Sequence, residues 1–305
     1  AILDMRLYKL IGLEIEALQA EHEETMKNIA LYKDILDNYD SMAAVIIKDM
    51  DAIKKEYGRK RRTAIENAEE AVYEEKKMEE MEVCFLMDRF GYMKLIDKNA
   101  YERNKEAVHN ENKYVFNCMN TDKICIFTDT GKMHTIKAVD IPLGRFRDKG
   151  TPVDNLSNYD SSQERMLYVA PVGQLRSDRL LFVTKTSMCK LVEGAEFDVA
   201  KRTIASTKLA DEDELIFIGS ASEMEQIVLQ SHGGCFLRFL TQEVSTMKKT
   251  ALGVRGMKLA DDDYLEHAYL LAGHQEYTIS YHDKEYALNK VRLAKRDTKG
   301  IKPRI

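Results

Sequence analysis

A chain of 305 residues is long enough for two domains with separate cores. No run of about 18 apolar residues occurs, so neither a membrane span nor a membrane partner is expected. Five cysteines, Cys84, Cys118, Cys125, Cys189 and Cys235, include no CxxC pair, which argues against a disulfide framework or a zinc site and fits a reducing cytoplasm.

The formal charge is −5, from 46 Lys+Arg against 51 Asp+Glu. Residues 1–80 carry 13 Lys+Arg against 19 Asp+Glu, leaving 33 against 32 for the remainder. The acidity belongs to the first part, and any polyanion surface on the second must come from segregated charge.

The opening, Ala1-Ile2-Leu3-Asp4, has neither an initiating Met nor a signal-peptide layout and reads as a chain entered mid-helix, a fragment of something longer. From Leu13 to Tyr57 there is no Gly or Pro. Leu18, Thr25, Ile29, Tyr32 and Leu36 fall on one helix face. Asp40-Ser41 reads as a break and fresh N-cap, followed by the stripe Val45, Ile46, Met50, Ile53 and Tyr57. Gly58 ends this helix ahead of Arg59-Lys60-Arg61-Arg62. A stripe says only that something is buried. It serves a hairpin packing on itself or a coiled-coil arm that pairs two chains. The apolar opening, with Met5, Leu7, Leu10 and Ile11, exceeds what one neighbour needs and favours a dimer contact.

After the Glu/Lys-rich connector Glu66–Glu82 the hydrophobic period switches to two. Five strand–turn–strand units follow: Cys84–Ile96 around Gly91, Ile124–Val139 around Gly131, Leu180–Val192 around Ser187, Ile227–Leu240 around Gly233-Gly234, and Tyr277–Val291 around Asp283. Their turns lie 40 to 56 residues apart, a period of radial blades. The fold class is therefore α plus all-β in separate domains. Residues 1–80 form a helical arm and connector; residues 81–305 form a propeller-like array of about five blades.

A basic tail recurs after the hairpins. It carries Arg145, Arg147 and Lys149 before Gly150; Lys201 and Arg202 before Thr203; and Lys248 and Lys249 before Gly253, with Arg255 after it. The last tail has Arg292, Lys295, Arg296 and Lys299 before Gly300. In a radial array equivalent loops share one rim, so these cations form a discontinuous belt. Duplex DNA carries a charge about every 1.7 Å of axis and suits such a belt without base-specific contacts. Bending 20–30 bp costs on the order of 1–6 kcal/mol, which several contacts offset. Against this, surface loops carry Lys and Arg in any protein, and a blade-repeat scaffold that binds proteins through an apolar face pocket, with the helices as its stalk, fits the same pattern.

His267, His274 and His282 are spaced too widely for a helix-face metal pair. No GxSxG, Walker loop or HExxH motif occurs, and no catalytic or metal residue stands out.

Four stretches carry a resemblance. AILDMRLYKLIGLEIEAL (1–18) and IKKEYGRKRRTAI (53–65) resemble the exit-gate arm of the A subunit of bacterial type IIA topoisomerases, DNA gyrase and topoisomerase IV. FGYMKLIDKNAYER (90–103) and IFTDTGKMHTIKAVDIPLGRFRDKGTPVDNL (126–156) are similar to the first blades of that subunit's C-terminal β-pinwheel. The resemblance implies a homodimeric arm, a pinwheel that binds and bends duplex DNA on its rim, and a B subunit that supplies the ATPase. No cofactor is expected in this chain, since ATP and Mg2+ would act through other domains or subunits. The DNA-attacking tyrosine of the family lies upstream, so none of the 15 tyrosines takes that role. A bacterial cytoplasmic, nucleoid-associated location is implied too. One departure stands out: Ala100-Tyr101-Glu102-Arg103 is followed by NKEAVHNENKY rather than the basic, glycine-rich box of gyrase A subunits, which points toward a topoisomerase IV-like subunit or a divergent gyrase-like paralogue.

Overall fold

The structure is a computed structural model that describes residues 12–63, 79–273 and 276–303. The chain divides into two compact units, Ala1–Lys76 and Lys77–Ile305.

In the first unit, α1 (Gly12–Asp37) and α2 (Tyr39–Tyr57) meet at Asn38. The break thus falls two residues before the expected Asp40-Ser41. Asn38 is the N-cap because its side-chain oxygen accepts from the Asp40 N–H at 3.1 Å, and Ser41 instead donates to Asp34 at 2.6 Å. The Gly58 N–H closes α2 on the Lys54 carbonyl at 2.8 Å. The two helices do not bury each other's stripes. Leu18, Ile29, Tyr32, Leu36, Ile46, Met50 and Ile53 are all exposed, Leu36 at 80%. The self-packed hairpin is therefore not what these residues form. Met5, Leu7, Leu10 and Ile11 lie outside the described residues.

The second unit contains β1 (Glu82–Asp88), β2 (Tyr92–Asp97), α3 (Lys98–Glu111), β3 (Asn112–Met119), β4 (Lys123–Thr128), β5 (Lys132–Lys137), β6 (Thr151–Pro152), β7 (Met166–Pro171), β8 (Arg179–Thr184) and β9 (Met188–Glu193). It continues with β10 (Thr203–Ala205), β11 (Leu215–Ser220), β12 (Gln226–Ser231), β13 (Phe236–Leu240), β14 (Val254–Arg255), β15 (Leu265–Leu271), β16 (Thr278–Tyr281) and β17 (Lys284–Ala287). Five antiparallel sheets result, ordered β3-β1-β2-β6, β10-β5-β4-β7, β11-β8-β9-β14, β13-β12-β15 and β16-β17. The fifth unit is thus only a two-stranded hairpin among the described residues.

Each expected hairpin forms around its expected turn because a residue there takes positive φ: Gly91, Gly131, Ser187, Gly234 and Asp283. The leading strands β1, β4, β8 and β12 are buried on both faces instead of alternating. The reason is layering. Phe85, Met93, Ile126 and Ile136 fill the space between the first two sheets; Phe127, Phe182 and Phe197 the next; Leu181, Leu229 and Phe239 the third. Full burial of one such side chain contributes roughly 1.5–3 kcal/mol.

Both ends of this stack are covered. On the far face of the first sheet, Cys84, Leu86 and Ile96 pack against Val108 and Tyr101 of α3. Beyond the fourth sheet, Phe236 packs edge-on to Tyr281, whose hairpin covers Val228 and Leu271. The strands β3, β7, β11 and β15 pack on one another in succession and form the inner edges. The opposite edges of the sheets are peripheral.

Candidate nucleic-acid interface

The peripheral edges are built by the basic tails. After each of the last four hairpins a short 3-10 turn sends the chain onto the sheet before it. Leu95 of β2 exchanges backbone bonds with Pro142 and Gly144 at 3.0 and 2.9 Å; Leu191 of β9 does the same with Ser245 and Met247 at 3.2 and 2.8 Å; and the Arg238 carbonyl of β13 accepts from the Ala294 N–H at 2.9 Å. The tail then turns and pairs antiparallel: Thr151 with Met93, Ile204 with Met133, Val254 with Cys189 and Ile301 with Phe236.

Three tails turn on a glycine, with φ of +83° at Gly150, +103° at Gly253 and +72° at Gly300. A Cβ there would lie 2.5, 2.7 and 2.7 Å from the carbonyl oxygens of Met93, Cys189 and Phe236. Only glycine fits that approach. Thr203 occupies the equivalent place in the remaining tail by pairing with His134 as ordinary strand, one residue earlier than its counterparts.

Two lysines that the sequence pattern does not single out hold this architecture. Lys94 Nζ donates to the Phe146 and Asp148 carbonyls, both at 2.5 Å. Lys190 Nζ, in the same register, donates to the Lys249 and Ala251 carbonyls, both at 2.7 Å. Lys190 is only 1% exposed, and burial holds its pKa down at about 8 against the opposing pull of Glu196. Burial lowers Lys94 as well, opposed by Asp148, Glu111 and Asp88. Their signal is a lysine one residue past the position that pairs with the tail.

The twelve cations expected on the rim fall into two groups. Arg145, Arg147, Lys149, Lys201, Arg202, Arg292, Lys295 and Lys299 are exposed, and none of their side chains forms an ion pair among the described residues. Lys149 lies 4.4 Å from the Tyr92 ring centroid. Lys248 is 82% exposed, with a 3.3 Å contact to Glu196.

Three others are occupied within the fold. Lys249 is half-buried, with Nζ 3.0 Å from the Glu196 carbonyl and its N–H on the Glu196 carboxylate at 3.1 Å. Arg296, in the same register, uses Glu243 in the same way at 3.0 and 2.9 Å and also reaches the Arg255 carbonyl at 2.6 Å. Arg255 holds Asp297 through two bonds of 2.5 and 3.0 Å. Hydrogen bonding to Asp297 raises the Arg255 pKa, and the same bond lowers that of Asp297.

Among the described residues no cluster of three or more His, Cys, Asp or Glu side chains could hold a metal, and no helix is long and apolar enough to cross a membrane. All five cysteines are free.

A family profile for the DNA gyrase C-terminal domain, β-propeller, matches residues 122–161, 178–222 and 225–272. The β-rich unit belongs to the gyrase C-terminal domain family. Over 267 residues the chain is 31% identical to the DNA gyrase A subunit of Clostridium acetobutylicum, covering 84% of this chain and 32% of that relative. With its Deinococcus deserti counterpart it shares 30% over 290 residues, 90% of this chain and 36% of the relative. The chain thus spans about a third of the length of the gyrase A subunits it matches. Among solved structures, the C-terminal domain of DNA topoisomerase IV superposes with a TM-score of 0.65 at 22% identity, covering 73% of this chain and 72% of that one. The C-terminal domain of E. coli ParC gives 0.58 at 13%, covering 73% and 94%. These two share the gyrase-type fold.

The segment after Arg103 that departs from the basic box, residues 104–114, is the second half of α3 and the start of β3. The Asp97 N-cap of α3 accepts from Ala100 N–H at 2.8 Å, and Val108 packs the helix onto the first sheet.

Proposed function

We propose that this chain is the DNA-binding and subunit-pairing portion of a type IIA topoisomerase A subunit. The observation that carries the reading is the placement of exposed cations, all but Lys248 without an ion pair among the described residues, on tails that form the outer edges of successive sheets. Arg145, Arg147 and Lys149 would contact phosphates beside the first sheet, Lys201 and Arg202 beside the second, Lys248 beside the third, and Arg292, Lys295 and Lys299 beside the fourth. Lys249, Arg255 and Arg296 would act mainly by holding the tails in place. The exposed stripes of α1 and α2 support a pairing role for the arm with a second copy of the chain, one in which Met5, Leu7, Leu10 and Ile11 would take part. Strand cleavage, ATP, Mg2+ and the B subunit would belong to other parts of the assembly, working on DNA in the bacterial nucleoid.

A topoisomerase IV-like activity is the finer reading, because a helix end and strand start with no glycine pair replace the basic box. The test is a plasmid topology assay on the full-length A subunit with its B partner. Unlinking and relaxation without negative supercoiling is the expected outcome, and ATP-dependent negative supercoiling would reject it.

A second reading, a protein-binding scaffold, has one observation in its favour. A cavity of about 490 Å³ between the first two sheets is lined by Met81, Val139, Pro142 and Leu143. A gel shift with long duplex at two salt concentrations separates the two. The scaffold would be indifferent to DNA, whereas the rim would bind it with a steep salt dependence.

A further inference from the structure

A second cationic site uses none of the tail cations and lies where the β1–β2 turn meets the start of β3, the residues just after β6 and the approach to β7. A cleft of about 190 Å³ there is bordered by Arg89, Phe90, Lys113, Ser161 and Arg165. Two carboxylates also line it, Asp88 and Asp154, and both are engaged with backbone. Asp88 accepts from the Phe90 and Tyr92 N–H groups at 2.8 and 2.9 Å, and Asp154 from the Ser161 N–H at 2.8 Å.

The equivalent turns of the next three sheets are closed. Asp129 meets Arg165 at 3.6 Å, Lys185 meets Glu214 at 2.9 Å, and His232 stacks on Tyr264 with ring centroids 4.7 Å apart. In each, the turn residue's N–H also bonds its counterpart's carbonyl. In the first sheet the counterpart of Arg89 is Glu111, the last residue of α3, and the two make no ion pair. Arg89 and Lys113 have no carboxylate partner within 4 Å among the described residues, and Arg165 has only its long contact to Asp129. The Lys113 ammonium lies 5.0 Å from the Tyr114 ring centroid, and its pKa is lowered by burial and then by the Arg165 guanidinium. Phe90 stands 80% exposed at the border of the cleft.

We propose that this cleft binds a phosphate group. Two guanidinium-bearing residues, one lysine and Ser161 border a space that suits a phosphate, and their donors match its oxygens. The exposed ring of Phe90 offers a stacking face for an adjoining base. The site does not rest on the rim reading, since it uses none of the tail cations.

The phosphate could belong to a free nucleotide or to a DNA strand, and the experiment separates them. Calorimetry of the whole chain with pyrophosphate should show binding that falls more than tenfold in the double variant Lys113→Gln/Arg165→Gln and persists in Lys113→Arg. It should be unaffected by Arg145→Gln/Arg147→Gln. A nucleotide source predicts that dAMP binds more tightly than inorganic phosphate and that Phe90→Ala removes the difference. A DNA source predicts that the double variant also weakens duplex binding, read by anisotropy. Circular dichroism confirms that the variants are folded. Pyrophosphate binding that is absent in the wild type, or equal in wild type and double variant, overturns the proposal.

Discussion

Lys190 lies beneath Ala251, with its ammonium 2.7 Å from that carbonyl and shut away from solvent. Replacing Lys190 by Met would leave the carbonyls of Lys249 and Ala251 without their donor while sparing the apolar contact of the stem. Expected destabilisation is about 1–3 kcal/mol, visible in urea unfolding, with faster amide exchange across residues 248–253. The pH dependence has a definite sign. Lys190 titrates at about 8 in the fold and near its ordinary 10.5 when unfolded, so the unfolded chain binds the extra proton between those values. Wild-type stability relative to Lys190→Met should therefore rise with pH above about 8, by at most about 1.4 kcal/mol per unit.

Glu164 should behave in the opposite sense. It is buried beside His134 at 3.0 Å and Lys132 at 2.8 Å. Burial alone would raise its pKa, but hydrogen bonds from Lys132, His134 and Thr128 outweigh it and bring the value to about 2. A carboxylate lowered from 4.5 contributes stability that is fully present above that pH and is lost as pH falls toward 2. On the order of 3 kcal/mol is at stake. Glu164→Gln should flatten the acid limb of a stability–pH profile measured by thermal melting.

Gly150→Ala and Gly253→Ala each force a Cβ into a carbonyl oxygen at a positive φ. Each should cost about 1–3 kcal/mol in chemical denaturation. Thr203→Ala, at the equivalent place but in extended conformation, should cost much less. Equal losses at all three positions would show that the tail turn is not the constraint.

On the rim, reversing Arg145, Arg147 and Lys149 to Glu should weaken duplex binding and reduce the slope of log K against log salt by about 0.9 for each phosphate left without its cation. Lys201→Gln/Arg202→Gln should do the same more weakly. Arg255→Gln should change stability more than the salt slope, because its charge is already spent on Asp297.

Turn chemistry made the hairpins legible, since Gly91, Gly131 and Gly233-Gly234 sit between apolar runs of strand length. Where the tails go was not legible. The pairs Tyr92–Pro152 and Met188–Arg255 join residues about 60 apart through strands of two residues, too short to leave a pattern. Grouping all tail cations together also hid a distinction that register reveals. Phe146, Lys249 and Arg296 occupy one position, and an aromatic there in the first tail marks it as inward-facing. The closing of Lys185 on Glu214 and of Asp129 on Arg165 is hidden for a related reason. Each ion pair joins a turn to a residue some 30 positions away, and its charges swap sign from one sheet to the next.

Because each of the first four sheets is finished by chain that belongs to its successor, the array cannot be shortened at a hairpin boundary without injury to what remains. Cutting after Gly273 would remove Ile301 and expose the N–H and C=O row of Phe236–Leu240, an invitation to edge-to-edge aggregation. Any shorter derivative that stays monodisperse must keep the borrowed tail of the unit it discards.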